Sequence, residues 1–143
     1  MRIHLVTPIV TEGIRTLDDV ADLNGNGLSI TQSLISAGPA SIECEFDEAM
    51  AVPGIVAEAI AAERSGADAV IIDCMGDPGL KAVREVVSIP VLGPSETAMH
   101  LAAMLGHRFS IVTVLDSVVP MIENLATLYG MAGKLASVRV IDI

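Results

Sequence analysis

The sequence predicts an α/β fold, a parallel sheet with helices on both faces. Three observations lead there. Short apolar runs rich in β-branched residues, such as Ala69 to Ile72, alternate along the chain with stretches of helical periodicity. Ala69 to Ile72 is continuously apolar and flanked by Gly66 and Gly76, the pattern of a parallel strand covered on both faces. The hydrophobic share is 52% with only 2% aromatic, so the core is Val, Ile, Leu, Ala and Met, which suits packed layers of helix and sheet. Regular alternation then predicts right-handed βαβ units in a flavodoxin-like sheet. The 143 residues leave room for one lobe nearly complete, residues 1–94, and the start of a second similar α/β lobe, residues 95–143.

Each element has its own signal. Ile3 to Val6 reads as the first strand and delivers Thr7 and Pro8 to its carboxyl edge. Thr16 is placed to cap a short helix, with Asp19 three residues on, and Asn24-Gly25-Asn26-Gly27 is a turn by composition. Leu28 to Leu34 reads as the second strand. The segment Gly38 to Glu48 is polar, irregular and long for a connection, as a binding loop is. From Pro53 to Arg64, Ile55, Val56, Ala59 and Ile60 recur with helical spacing, and Gly66 closes the helix. After the strand Ala69 to Ile72, Asp77 reads as an N-cap and Pro78 as the first residue of a helix whose apolar face is Leu80, Val83, Val86 and Val87. Ile89 to Gly93 is a short strand. Ser95 reads as the cap of a helix running to Leu105, with Glu96 in its first turn and Gly106 at its end. Phe109 to Val114 is a strand, Val118 to Tyr129 a helix, and Ser137 to Ile143 a further strand.

Composition narrows the function. A formal net charge of −10 argues against nucleic acid and anionic membrane as partners. No apolar run approaches the ~18 residues of a membrane span, and the N-terminus lacks a signal pattern, so a cytoplasmic protein is expected. Cys44 and Cys74 have neither zinc nor CxxC spacing, the three histidines are scattered, and no GxGxxG or GKS/T fingerprint occurs. Neither a metal nor a cofactor is expected. A small carboxylate or amide substrate fits better, held at the carboxyl edge of the strands where open α/β sheets bind ligands. Thr7 with Pro8 and Ile9, Ser41, Cys74 with Gly76, Ser95 with Glu96, and Thr113 are the candidates for that edge.

Cys74 is the candidate for chemistry. A cysteine that follows an apolar strand is ordinarily a small packing residue, but the turn and cap after Cys74 aim it at a crevice. The amino end of the following helix is expected to lower its pKa, by up to ~2 kcal/mol of thiolate stabilisation. Cys44 lies between Glu43 and Glu45, which oppose thiolate formation, so Cys74 is expected to be the reactive thiol. Each hydroxyl has a structural alternative, and Ser95 above all is satisfied by its own helix if it serves only as a cap.

Ala67-Asp68-Ala69-Val70-Ile71-Ile72-Asp73-Cys74-Met75-Gly76-Asp77-Pro78-Gly79-Leu80, Ile89-Pro90-Val91-Leu92-Gly93 and Met104 to Thr113 resemble the hydantoin racemase branch of the aspartate/glutamate racemase superfamily. Pro39 to Glu43 and Phe46 to Ala49 fit the same branch. The resemblance implies two similar α/β lobes with the site between them, and a cofactor-independent racemase or epimerase of amino acids or derivatives. Two cysteines on opposite faces of the substrate would exchange the Cα proton, Cys74 being one. The family's first loop usually reads Asn-Pro-Asn-Thr where this chain has Thr7, Pro8, Ile9 and Val10. Its second catalytic cysteine lies beyond Ile143, so the chain is expected to be the first two thirds of a longer protein, inactive alone, and a homo-oligomer is expected. Two alternatives stand beside this reading: a decarboxylase or lyase using Cys74 alone, and a flavodoxin-like binding module without catalysis.

Overall fold

The computed structural model describes residues 1–141, and in them strand and helix alternate as the sequence suggests. β1 (Arg2–Thr7), β2 (Ser29–Leu34), β3 (Ala69–Ile72) and β4 (Val91–Leu92) form one sheet in the order β2-β1-β3-β4, with every neighbouring pair parallel. That order is the flavodoxin-like one, and it reverses between β1 and β3. β5 (Phe109–Thr113) and β6 (Leu135–Val140) form a second parallel pair. Asp142 and Ile143, the end of the strand expected over Ser137 to Ile143, lie outside the described residues.

Four helices, α1 (Glu45–Arg64), α2 (Leu80–Val86), α3 (Pro94–Leu105) and α4 (Val119–Leu128), connect the strands. The register sets Val6 against Ile72 and His4 against Val70, so these side chains share one face of the sheet. On that face Val6, Val70, Ile72 and Val91 pack with Ala51, Ile55, Ala59 and Ala62 of α1 and with Leu80 and Val83 of α2. Five of these side chains, Val6, Ile55, Val70, Ile72 and Val83, are sealed from solvent, and each contributes about 1.5–3 kcal/mol by leaving water. A separate core gathers Met99 of α3 with Val118, Met121, Ile122 and Ala126, against which Phe109, Ile111, Leu135 and Val138 of the second sheet pack.

Several local expectations are corrected. α1 begins at Glu45, not Pro53, so the expected loop over Gly38 to Glu48 ends at Cys44 and Pro53 sits inside the helix. An interior proline costs about 3 kcal/mol, but Ala51 ahead of it and Ile55 behind it are both fully buried, and the acidic first turn suits the helix dipole. Thr16 caps nothing: the 3-10 helix Asp18–Leu23 starts after Leu17, and the Thr16 hydroxyl donates to Asp18 Oδ2. Ser95 is not a cap either, since α3 begins at Pro94 behind Gly93 and the Ser95 hydroxyl donates to the Met75 carbonyl. The strand expected over Ile89 to Gly93 shrinks to Val91–Leu92, Val86 stays 47% exposed, and α4 is preceded by a 3-10 turn, Asp116–Val118. Gly66, by contrast, closes α1 as expected, with φ +86° and its N–H on the Glu63 carbonyl.

The largest correction concerns Asp77. It does not cap α2, which starts at Leu80 behind a left-handed Gly79. Instead its buried carboxylate crosses to the next helix, where Ser95 N–H donates to Oδ1 at 2.9 Å and Glu96 N–H to Oδ2 at 2.8 Å. Those are orphan donors of the first turn of α3. A third donor is the Tyr129 hydroxyl at the end of α4, 2.7 Å from Oδ2. The carboxylate passes so close to Gly93 that a Cβ there would lie 2.5 Å from Asp77 Cγ. Asp77 itself adopts φ +51°, a left-handed conformation that aspartate tolerates better than most residues. The Asp77 carboxylate thus links the two cores, together with the Ser95 hydroxyl on the Met75 carbonyl, the Arg84–Glu96 ion pair and the Ser117 hydroxyl on the Glu43 carbonyl at 2.7 Å.

Asp77→Ala strips three donors of their acceptor and is expected to destabilise the chain by about 3 kcal/mol, and Tyr129→Phe by about 1 kcal/mol. Urea unfolding of both variants measures this, and an Asp77→Ala protein as stable as the parent contradicts the assignment.

Candidate active site

β1 and β3 are adjacent at the point where the strand order reverses, and their carboxyl ends bring Thr7 and Cys74 together. Thr7, Pro8, Ile9, Ser41 and Cys74, five of the residues expected from the sequence, line one cavity of about 320 Å³. Ile14, Arg15, Ile42 and Asp73 complete its walls. The other four candidates lie elsewhere. Gly76 packs behind Cys74 against the Glu48 carboxyl. Ser95 is buried on Met75, Glu96 forms an ion pair with Arg84 at 2.5 Å, and Thr113 ends β5, its carbonyl accepting the Ile141 N–H.

A polar network runs along the wall of the cavity. Asp73 Oδ2 accepts from Arg15 Nε at 2.7 Å and from the Thr7 hydroxyl at 3.2 Å, and Thr7 in turn accepts from Gln32 Nε2 at 2.9 Å. Arg15 also pairs with Asp19 at 2.5 Å. The Ser41 hydroxyl donates to Glu43 Oε1 at 2.8 Å. With that proton engaged, Ser41 faces a ligand as a hydrogen-bond acceptor. Arg15 and Asp73 were not singled out from the sequence. Asp73 had a signal, since it directly precedes Cys74 at the strand end; Arg15 had none, because it reaches the site only through the fold of the loop after β1.

The surroundings of Cys74 differ from the expectation. α2 begins six positions after it, so the amino end of that helix does not sit beside the thiol, and the expected lowering of its pKa is overturned. Burial pushes the Cys74 thiol up to about 11; the Gly76 N–H donating to the sulfur pulls the other way, while Glu48, Asp77 and Asp73 add to the rise. Cys74 is thus held as a neutral thiol, the form that gives a proton. The turn that carries it is fixed by backbone bonds, from Cys74 N–H to the Ile72 carbonyl at 2.8 Å and from Asp77 N–H to the Cys74 carbonyl at 3.1 Å. Cys44 does not line the cavity: it stands at the N-cap position of α1 and its thiol donates to Asp47 Oδ2 at 3.3 Å. Among the described residues no group of His, Cys, Asp and Glu could hold a metal ion, and no helix is long and apolar enough to cross a membrane.

A fold with a thiol at its switch point can be compared with known proteins. The sequence profile of the Asp/Glu/Hydantoin racemase family matches residues 14–143. A hydantoin racemase of Pseudomonas sp. (strain NS671) is 47% identical over 102 residues, 71% of this chain and 41% of that protein. A hydantoin racemase of Rhizobium meliloti is 39% identical over 145 residues, covering 100% of this chain and 60% of the relative. The solved structure of an allantoin racemase from Klebsiella pneumoniae superposes with a TM-score of 0.93 at 36% identity, over 100% of this chain and 59% of that one. The chain therefore spans between 41% and 60% of the length of these relatives. Profile, sequence and superposed structure agree over nearly all of its residues, and the chain belongs to the Asp/Glu/Hydantoin racemase family.

Proposed function

We propose that this chain carries one side of the active site of a cofactor-independent racemase or epimerase, acting on amino acids or their cyclic, hydantoin-type derivatives, in which Cys74 exchanges the Cα proton from one face. The observation that carries the reading is the placement of Cys74 in the wall of a cavity at the β1/β3 edge, in a chain whose relatives are named hydantoin and allantoin racemases. Residues 1–94 act as the first lobe and residues 95–143 as the opening of a second. The protein works in the cytoplasm as a homo-oligomer, a reading supported for the latter by the exposed apolar side chains of Leu101, Met104 and Leu105 on α3.

The chemistry sets what the site must do. Inversion through a planar enolate requires a proton taken from one face and another given to the opposite face, each group within hydrogen-bond reach of the carbon. One thiol serves one face. Cys44, bonded to Asp47 and outside the cavity, is not the partner; the second acid/base group comes from the part of the relatives' length that this chain does not span. The neutral state of Cys74 makes it the donor for one enantiomer; each turnover leaves it as the thiolate and its partner protonated, so starting from the other enantiomer the same sulfur takes the Cα proton. Ser41 accepts a ring N–H of the substrate, and the Arg15–Asp73 pair offers a donor and an acceptor side by side, complementary to the carbonyl and N–H of a ureide. Ile9, Ile14 and Ile42 surround the substituent at the stereocentre. A thiol held protonated also suits a decarboxylase or lyase, where protonation from one face suffices.

Two outcomes test this. A fusion of residues 1–143 to the remaining part of the Rhizobium meliloti relative is expected to invert a 5-substituted hydantoin with deuterium uptake at C5 in D2O, and Cys74→Ala is expected to lose at least ~100-fold of that rate. Undiminished inversion by the Cys74→Ala fusion contradicts the assignment. The chain alone is expected to show no inversion; rapid inversion lost in both Cys74→Ala and Cys44→Ala replaces this reading with a compact two-thiol site.

A further inference from the structure

Glu48 stands out behind the site. It lies in the first turn of α1, and its Oε1 is shut off from solvent without a hydrogen-bond partner among the described residues. A buried polar atom left unpaired is costly, and such atoms are uncommon in folded proteins. The carboxyl fills the space that a side chain at position 76 would take: a Cβ at Gly76 would lie 1.5 Å from Oε1 and 2.7 Å from Cδ. Glu48 also lines a mainly apolar groove of about 500 Å³ with Val52, Gly79, Leu125 and Leu128. Gly76 thus has Glu48 against its Cα and stands two residues after Cys74 in the turn closed by the Asp77 N–H on the Cys74 carbonyl.

We propose that Glu48 is a positioning residue for Cys74, its carboxyl packing the Gly76 turn against the thiol and, when charged, adding to the hold that burial already places on the Cys74 proton. This rests on the reading of Cys74 as an acid/base group. The titratable groups around the pair are acids: Glu45 on the same helix, and Asp73 and Asp77 on the turn. α4 contributes Met121, Asn124, Leu125 and Leu128 to the groove, none of which titrates. Arg15 is bound to Asp73 and Asp19. Burial, with Glu45 and Asp77 adding to it, pushes the Glu48 carboxyl up to about 7. Below that pH the acid is neutral and leaves the thiol alone. Above it, Glu48 adds a negative charge beside Cys74 and opposes the thiolate. A two-sided proton exchange starts with one side protonated and the other not, and Glu48 reinforces the protonated state that burial gives Cys74.

The test uses the full chain with Cys44→Ser, so that a single thiol reports. The rate of modification of Cys74 by methyl methanethiosulfonate, a thiolate-selective probe, is measured against pH with and without Glu48→Gln, which mimics the neutral acid. The ratio of variant to parent rates is expected to be about 1 below about pH 6, to rise with a midpoint near 7, and to reach about threefold or more above about pH 8, since half a pKa unit is about threefold in thiolate. Gly76→Ala in the parent, which forces the carboxyl away without changing its charge, is expected to shrink that step. A ratio that stays flat with pH in the folded protein overturns the role of Glu48 while leaving Cys74 as the acid/base group. Failure of Cys74 to react at any pH overturns both readings.

Discussion

The Asp77 carboxylate is the constraint on which the arrangement of this chain depends. It satisfies two orphan N–H groups of α3 and the Tyr129 hydroxyl after α4, so one buried acid ties the turn after β3 to the core of the second sheet. Charge-assisted bonds of this kind are roughly twice as strong as neutral ones. Their geometric consequence matters as much as their energy. Cys74, Met75 and Asp77 belong to one tight turn, and with Asp77 anchored at its far end and the Ser95 hydroxyl bound to the Met75 carbonyl, the thiol has little freedom to move. Gly93 completes the arrangement by leaving room for the carboxylate.

A cost follows for the thiol. Anchoring the turn with an acid, and packing another acid behind it, surrounds Cys74 with Asp73, Glu48 and Asp77. Arg15 offsets part of this field through its bond to Asp73, and Gly76 N–H offsets another part at the sulfur itself. Burial and the acids still prevail. The thiol is held protonated rather than as a nucleophile poised for attack, and that state fits the proposed delivery of a proton to a planar carbon better than it fits covalent catalysis. The same turn thus determines both where the sulfur sits and which form of it is present.

Much of this was legible in the sequence wherever the governing interaction is local. The strand Ala69–Ile72 and the helix end at Leu105 were read with their observed bounds, because apolar runs and glycine stops act on their own neighbours. Thr7, Pro8, Ile9 and Cys74 came together because the ends of β1 and β3 converge at the switch point, and Ser41 joined them from the loop before α1, whose polar, irregular composition marks a binding loop. The failures have the opposite character. Asp77 looks like a cap for the helix that follows it, yet its acceptor atoms serve a helix 18 residues further on. Pro53 looks like a helix start, but burial of Ala51 and Ile55 on either side outweighs its local cost. Ser95 looks like a cap and proves to be a tie to Met75. Arg15 and Glu48 enter the site's surroundings only through tertiary packing, and no spacing rule could have found them.

Direct titration of the thiol tests the central claim, that a buried acidic turn holds Cys74 protonated. In protein labelled with 13C at cysteine Cβ, the Cys74 resonance is followed by NMR across the alkaline range while the fold is monitored in the same spectra. The account predicts a midpoint near 11, well above the ~8.5 of a free cysteine. A midpoint at or below that free value, with the chain still folded, would contradict it.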